Sequence, residues 1–242
     1  MPPVFDFDCM PRLFSYLAHI IYPQHCPACG RLAVPYCPGC LRGAAAEALP
    51  PFCADCGGAY GVECCYESVP CYAAAIHDGD ARQFILALKY KNIRPLGEAI
   101  GREMARLIPK QEAEVLVPLP LHAGSSRAFN QTELIARGLS SQWGIPVAGR
   151  ALKWRVSSGA QTEKRGAARR ALTFGSFAAQ PELAGKSVIL VDDVYTTGGT
   201  VRAAKFALQR AGAEVKAVLV WTRRVSSPEH PGAWPEDGEY WL

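Results

Sequence analysis

The sequence predicts an α/β protein built on a parallel sheet, with a small cysteine-rich module on its N-terminal side. Two apolar runs, "KSVILV" and "VKAVLVW", lack polar alternation, which is typical of strands buried on both faces. The segment between them, "TVRAAKFALQRAG", has helical spacing and ends at a glycine. A strand–helix–strand succession favours parallel pairing. All ten cysteines fall within the first 71 residues, which sets that part of the chain apart.

The composition is that of a globular protein. The chain has 242 residues, enough for one domain of ordinary size and a small module. Its apolar share of 49% and charged share of 20% argue against a disordered chain. The net charge of +4 is compatible with a phosphorylated ligand or with nucleic acid, and it is specific to neither.

Neither membrane insertion nor a signal peptide is expected. The longest apolar stretch near the N-terminus, residues 13–22, is about half the length that a bilayer requires. The first ten residues are acidic where a signal peptide would be basic. We therefore expect a cytoplasmic protein, in which clustered thiols stay reduced and bind metal rather than form disulfides.

The cysteines form an internal repeat. The first set has the pattern C-x2-C, seven residues, C-x2-C, and comprises Cys26, Cys29, Cys37 and Cys40. The pattern returns 27 residues later with Cys53, Cys56 and Cys64. Paired C-x2-C turns bring four thiolates onto one zinc ion. A module this short has little core of its own, so zinc binding would supply much of its folding free energy.

The second set lacks an obvious fourth ligand, because Glu67 occupies the position that matches Cys40. The candidates are Cys65, Glu67 and Cys71. We favour Cys71, since adjacent cysteines rarely bind one metal ion together. The alternative is a degenerate half-ribbon with buried free thiols. Sites with four protein ligands leave no open position, so both would be structural rather than catalytic.

The chain divides into four segments by texture. They are an N-terminal helix (1–23), a zinc-ribbon module (24–72), an α/β domain (73–225) and a C-terminal tail (226–242). Within the α/β domain, helices are expected over 81–90, 97–108 and 130–143, and a buried strand over 113–121. Asn130 is the expected N-cap of the third helix.

The stretch "VILVDDVYTTGGT" (188–200) joins a buried strand to a helix through two acids and a loop of threonines and glycines. Asp192 and Asp193 would lie at the carboxyl end of the strand, where open α/β sheets bind ligands. The N–H groups of the loop and of the helix start would form an anion site. Ribose 5-phosphate suits both features, because it carries a vicinal diol and a phosphate on one small scaffold.

This stretch resembles the PRPP (5-phosphoribosyl 1-pyrophosphate) motif of the type I phosphoribosyltransferases. Together with "VPLPLH", "RAFNQTELIA", "LKY" and the cysteine ribbons ahead of them, it resembles the ComF family of competence-associated phosphoribosyltransferase-like proteins. The resemblance covers roughly residues 24–222. It implies a type I phosphoribosyltransferase fold, a parallel sheet flanked by helices, with an N-terminal zinc-ribbon module and a link to DNA uptake.

The resemblance also implies roles for individual residues. Asp192 and Asp193 would hold the ribose, and the 5-phosphate would be held by Thr196, Thr197, Gly198, Gly199 and Thr200. Gln131 and Arg169 would add contacts to PRPP. Lys89 and Arg127 would complete the catalytic set with the two aspartates and bind pyrophosphate. Leu172 stands where the family usually has an asparagine.

Two functions from different classes remain open. The first is a Mg²⁺-dependent enzyme that transfers phosphoribosyl from PRPP to an unidentified acceptor, although no general base is evident. The second is a non-catalytic factor that senses PRPP or binds single-stranded DNA and competence proteins.

The basic stretch over 150–170, with seven Lys or Arg and one Glu, fits a lid over pyrophosphate, a DNA contact surface or a solvated loop. Two further expectations follow from the sequence. Asp193→Asn should weaken PRPP binding without loss of thermal stability. Chelation of zinc should unfold residues 24–71 and spare the α/β domain.

Overall fold

The computed structural model describes residues 25–33, 35–61, 64–65, 68–121, 125, 127–155 and 175–225. Several expectations fall outside these residues, namely the N-terminal helix over 1–23, the C-terminal tail over 226–242, Arg169 and Leu172. Most of the basic stretch over 150–170 falls outside them as well, so its three interpretations stay open.

The main sheet has five strands in the order β1-β2-β7-β6-β3. These strands are β1 (Phe52–Cys53), β2 (Pro70–Ile76), β3 (Val115–Pro118), β6 (Ser187–Tyr195) and β7 (Glu214–Arg223). The four strands β2, β7, β6 and β3 are mutually parallel, and β1 pairs antiparallel with β2 at one edge. A separate antiparallel pair is formed by β4 (Leu152–Trp154) and β5 (Phe177–Ala179).

Five α-helices are described. They are α1 (Pro38–Gly43), α2 (Gly79–Tyr90), α3 (Arg94–Leu107), α4 (Gln131–Trp143) and α5 (Gly199–Arg210), with a 3-10 turn at Pro181–Leu183. The Asp78 carboxylate caps α2 by accepting the N–H of Gly79 at 2.7 Å. The Asn130 side chain caps α4 by accepting the N–H of Thr132 at 3.2 Å, which confirms the expected N-cap.

The predicted α/β architecture with a parallel sheet is confirmed. One detail differs, because β6 continues past the apolar run to Tyr195. Both Asp192 and Asp193 therefore lie within the last part of the strand, near its carboxyl end. The extension follows from pairing with β7, whose partner residues run on to Arg223.

The absence of polar alternation in β6 is explained by a core on each face of the sheet. Ile189 and Val191 enter one core, which packs under helices α2, α3 and α4. Val188 and Leu190 enter the other, which packs under α5 and the β4–β5 pair. All four side chains are fully buried.

The cysteine-rich part is joined to this framework. Cys26 and Leu41 belong to the core under α2, α3 and α4, whereas Phe52 and Ala54 belong to the opposite core. The expected module boundary at residue 72 falls inside β2, so the main sheet includes strands on both sides of it. None of the described helices is long and apolar enough to cross a membrane.

Candidate functional site

A pocket of about 290 Å³ opens at the carboxyl edge of β3 and β6. The residues that line it come from the segment after β3, the start of α4, the end of β6 and the start of α5, and they are Leu119, Pro120, Leu121, Ser125, Arg127, Gln131, Thr132, Asp192 and Thr200. The start of α4 is held against the segment just after β3, because the Asn130 amide and the Thr132 hydroxyl both donate to the Leu119 carbonyl, at 2.9 and 2.5 Å.

The loop after β6 presents a helix start with bare N–H groups. Gly198 is the N-cap of α5 with a left-handed φ of 74°, and no side chain caps the helix. A Cβ atom at this position would overlap the Tyr195 hydroxyl, so glycine is needed for space as well as for φ. The first turn of α5 also has no acidic residue. These uncapped N–H groups and the positive end of the helix dipole favour an anion.

Asp193 is neutralised inside the protein. Its side chain is 7% exposed and lies 2.9 Å from the ammonium of Lys89, which projects from the last turn of α2. The Gln131 amide donates to the same oxygen, Oδ2, at 3.0 Å, and the Lys89 ammonium also donates to Oδ1 at 3.0 Å. The structure thus brings Lys89, Gln131 and Asp193 together as predicted site residues, but it directs Lys89 to a carboxylate.

Asp192 faces the pocket. One of its oxygens accepts the N–H of Asp193 at 2.8 Å. Burial and the neighbouring Asp193 charge raise the pKa of Asp192 to about 8, against the opposing effect of that N–H and of Lys89. A ligand that donates hydroxyl hydrogens to Asp192, or that brings a cation next to it, would stabilise its carboxylate form.

Gln131 carries the strongest sign of a missing ligand. Its amide oxygen is buried and has no hydrogen-bond partner among the described residues. The bond from its NH₂ group to Asp193 sets the orientation of the amide, so the oxygen is left as a buried acceptor in a residue that lines the pocket. A buried acceptor without a donor costs free energy, which a ligand hydroxyl or N–H would recover.

The other predicted residues lie around this centre. Thr200 and Arg127 line the pocket, and the Arg127 guanidinium also lies 5.7 Å from the ring centre of Tyr90. Thr196 and Thr197 belong to the loop between β6 and α5, where the Thr197 carbonyl accepts a bond from Arg202 at 2.9 Å.

The structure gathers two groups of four cysteines. In each group the four sulfur atoms lie within 4.8 Å of one another. The first group is the predicted one, Cys26, Cys29, Cys37 and Cys40. The second contains Cys53, Cys56 and Cys64 with Cys65 as its fourth member. The preference for Cys71 was therefore wrong in geometry, since Cys71 is buried in β2 and pairs across the sheet edge with Phe52.

Both groups suit a soft divalent cation. Burial raises the pKa of Cys26 and of Cys53, but N–H donors of the turns outweigh it and bring each to about 7. Hydrogen bonding to neighbouring sulfurs instead raises the pKa of Cys40 to about 12 and of Cys65 to about 11. Four thiols this close deprotonate together only around a cation, and tetrahedral Cys₄ sites are typical of zinc.

The comparisons agree with the geometry. Residues 126–237 match the family model of the phosphoribosyl transferase domain. This span holds the start of α4, the two aspartates and the loop before α5. This part of the chain, a little under half of it, is similar to phosphoribosyl transferase domains, and the described sheet and helices are those of the type I phosphoribosyltransferase fold.

Similarity to individual enzymes is local. The chain is 51% identical over 51 residues to an orotate phosphoribosyltransferase of Nocardioides sp. (strain ATCC BAA-499 / JS614). It is 54% identical over 39 residues to an adenine phosphoribosyltransferase of Mycolicibacterium gilvum (strain PYR-GCK). These matches cover 21% and 16% of this chain, and 28% and 22% of the respective enzymes.

Two solved structures overlap with part of this chain at low TM-scores. A phosphoribosyltransferase from Corynebacterium diphtheriae is 22% identical, with a TM-score of 0.35, over 62% of this chain and 71% of that one. An adenine phosphoribosyltransferase from Thermoanaerobacter pseudethanolicus is 14% identical, with a TM-score of 0.37, over 60% of this chain and 76% of that one.

We call the loop after β6, residues 196–200, the anion loop. Sequence reasoning missed the residues that connect the cysteine-rich part to it, chiefly Asp55, Arg202 and Lys205. Asp55 is separated from Arg202 and Lys205 by 147 and 150 positions. No periodicity or motif connects positions so far apart. The sequence offers one signal for these contacts. Near its start, α5 carries Arg202 and Lys205 with no acidic residue in the first turn, so both cations need partners from outside the helix.

Proposed function

We propose that this protein binds PRPP in the pocket between β3 and α5 and transfers its phosphoribosyl group in a Mg²⁺-dependent reaction. The observation that carries the proposal is that hydrogen-bond acceptors and an anion-binding helix start occur together at one pocket. Asp192 and the amide oxygen of Gln131 accept hydrogen bonds, and the start of α5 attracts an anion. A ribose 5-phosphate unit supplies hydroxyl donors and a phosphate, and one sugar ring connects them.

The reaction would break the bond between C1 of the ribose and a pyrophosphate oxygen, and form a bond from C1 to the nucleophile of an acceptor. Pyrophosphate takes the bonding electron pair, and the acceptor loses a proton. Catalysis is then mainly positioning and charge stabilisation. Mg²⁺, when bound, supplies charge neutralisation on pyrophosphate, and Asp192 is the described carboxylate in the pocket that suits it.

This chain's own residues would do the rest. The loop from Thr196 to Thr200 holds the 5-phosphate at the start of α5. Asp192 and Gln131 orient the sugar hydroxyls, and Arg127 lies where it can attract pyrophosphate. The Lys89 ammonium offsets the negative charge of Asp193, which reduces the repulsion between Asp193 and the anionic ligand.

The proposed biological role comes from resemblance alone, and the resemblance names no acceptor. The likeness to the ComF family favours a link to natural competence and DNA uptake in the cytoplasm. Single-stranded DNA and competence proteins are then candidate partners.

A second candidate function is a non-catalytic PRPP sensor or a DNA- and partner-binding factor. One observation favours it, because Asp192 is the only acid among the described residues that line the pocket and none of them is a histidine. Among these described lining residues, a nucleophile that must lose a proton would find no second group to take it.

Isothermal titration calorimetry with PRPP tests the proposal. We expect micromolar binding that needs Mg²⁺, and Asp192→Asn should weaken it about tenfold or more through the loss of charged hydrogen bonds. Glu112→Gln, at an exposed position away from the pocket, is the matched control. Absence of PRPP binding by the wild-type protein would refute the proposal.

Binding and catalysis are separated by a second measurement. Release of pyrophosphate in the presence of a panel of bases, amines and nucleic acids identifies an enzyme. PRPP binding without release across the panel favours the sensor, and DNA affinity that falls steeply with salt favours the DNA-binding version.

A further inference from the structure

A short turn of the second cysteine group lies directly against the anion loop. We call this turn, residues 53–58, the second knuckle. It closes on itself through two backbone bonds, from the Gly57 N–H to the Cys53 carbonyl at 2.9 Å and from the Cys53 N–H to the Gly58 carbonyl at 2.8 Å. Two of the four clustered sulfurs, those of Cys53 and Cys56, belong to it.

Arg202 ties the second knuckle to the anion loop with a single nitrogen. Its Nη1 atom donates to the Asp55 carbonyl at 2.7 Å and to the Thr197 carbonyl at 2.9 Å. Asp55 lies on the second knuckle, whereas Thr197 lies in the loop between β6 and α5. Movement of either carbonyl away from Arg202 would therefore break a charged hydrogen bond and would also disturb the guanidinium that binds the other carbonyl.

Further contacts surround this bridge. The Asp55 carboxylate pairs with Lys205 of α5 at 2.6 Å, and their side chains are 20% and 12% exposed. The Tyr195 hydroxyl donates to the Ala54 carbonyl at 3.3 Å. At the end of β7, Arg223 donates to the Gly57 carbonyl.

Packing leaves the loop little freedom to move away from the second knuckle. The Tyr195 ring meets Phe52 edge to face, with ring centres 4.8 Å apart. The Tyr195 hydroxyl and Arg202 both lie so close to Gly198 that no side chain fits there. The backbone of the anion loop is thus held between its own helix and the second knuckle.

We propose that the second knuckle is a positioning element of the sugar-phosphate site, and that metal in the second cysteine group sets the affinity of the anion loop. Six residues have little stability of their own, so the second knuckle depends on a metal ion that ties Cys53 and Cys56 to Cys64 and Cys65. Metal loss would free Asp55 and release Arg202 from one of its two carbonyls. The inference rests on the proposed PRPP site.

The first cysteine group provides an internal control. Its residues pack on the other face of the sheet, where Cys26 and Leu41 join the core under α2, α3 and α4. Its polar contacts run to α3, as in the bond from Arg106 to the Ala45 carbonyl at 3.4 Å. Metal in this group should therefore have little effect on the anion loop.

The experiment compares Cys56→Ser/Cys65→Ser with the control Cys29→Ser/Cys40→Ser in the full chain. Zinc content, PRPP affinity by calorimetry and hydrogen exchange of residues 195–202 are measured for each. We expect each variant to lose one zinc ion. Only the first should lose about tenfold in affinity, an ordinary size for coupling between sites, and exchange faster over 195–202.

A second variant keeps the test valid if a cysteine variant fails to fold. Arg202→Met removes the bridge and leaves all eight cysteines in place, so it should lower PRPP affinity with zinc content unchanged. The inference is overturned if Cys56→Ser/Cys65→Ser loses its zinc ion but keeps wild-type PRPP affinity and wild-type hydrogen exchange over 195–202. If wild-type protein binds no PRPP, the proposed function fails, and the exchange data alone decide the coupling.

Discussion

At the scale of single residues, the site depends on one buried ion pair. Replacing Asp193 by Asn would leave the Lys89 ammonium, 17% exposed, without its counter-charge. We therefore expect Asp193→Asn to lower the free energy of unfolding by about 1–3 kcal/mol, besides weakening PRPP binding. This changes the expectation from the sequence, which foresaw no loss of stability.

Urea unfolding measures the change, and Lys89→Met with Asp193→Asn serves as the partner variant. The double variant removes both charges, so it should recover part of the lost stability. A single variant as stable as wild type would show that Lys89 finds other partners or water at no cost. The sequence could not reveal this pair, because 104 positions separate its members.

His77 gives a pH dependence of known sign. Burial, followed by the charges of Arg224, Lys89 and Arg82, lowers its pKa, and its Nδ1 atom lies 2.8 Å from the Thr222 hydroxyl. The folded state therefore disfavours protonation of His77, whereas the unfolded chain protonates it at about pH 6.5. Stability contributed by neutral His77 is present above that pH and is lost as the pH falls through it toward the lower folded pKa.

Unfolding in urea at about pH 7.5 and about pH 5.5 checks this sign. We expect the loss of stability on acidification to be smaller in His77→Asn, whose amide can keep the bond to Thr222. An equal loss in both proteins would assign the effect to other groups.

At the scale of elements, helices α3 and α4 cross with their backbones in close contact. A Cβ atom on Gly138 would overlap the Glu98 carbonyl, and one on Gly101 would overlap the Ile135 carbonyl. We expect Gly138→Ala to lower the free energy of unfolding by about 1–3 kcal/mol, because the helices must separate. The helix propensity of alanine acts in the opposite direction by at most about 1 kcal/mol.

Gly43→Ala in α1 is the matched control, since nothing lies within 4 Å of a Cβ atom there. Thermal unfolding of both variants should show a loss for Gly138→Ala and none for Gly43→Ala. Equal melting temperatures for the two would mean that α3 and α4 can separate without cost.

The same scale shows what local sequence can and cannot predict. The runs 186–191 and 215–221 could be predicted as buried strands because each face of the sheet has a core, and Asn130 could be predicted as a cap because its chemistry is local. The choice of Cys71 over Cys65 failed for a different reason. Strand pairing with Phe52 and Val218 withdraws Cys71 into the sheet, which spacing alone does not show.

At the scale of the whole molecule, the cysteine-rich part shares both cores and the sheet with the rest of the chain. Cys26 and Leu41 pack under α2, α3 and α4, and β1 covers the edge of β2. Removal of zinc should therefore weaken more than residues 24–71. We expect chelation to lower the melting temperature of the α/β part, because β2 loses its antiparallel neighbour and the core loses packed side chains.

Hydrogen exchange resolved to peptides, with and without a zinc chelator, measures how far the effect spreads. We expect β2 to lose protection with the cysteine-rich part, since loss of β1, which pairs with it through Phe52 and Cys71, would leave β2 as an exposed edge strand. The α3–α4 pair should lose less, because its contacts are mostly with each other. Unchanged protection of β2 in a chelated protein, with residues 25–65 fully exchanged, would contradict this expectation and show that the α/β part is independent of the metal.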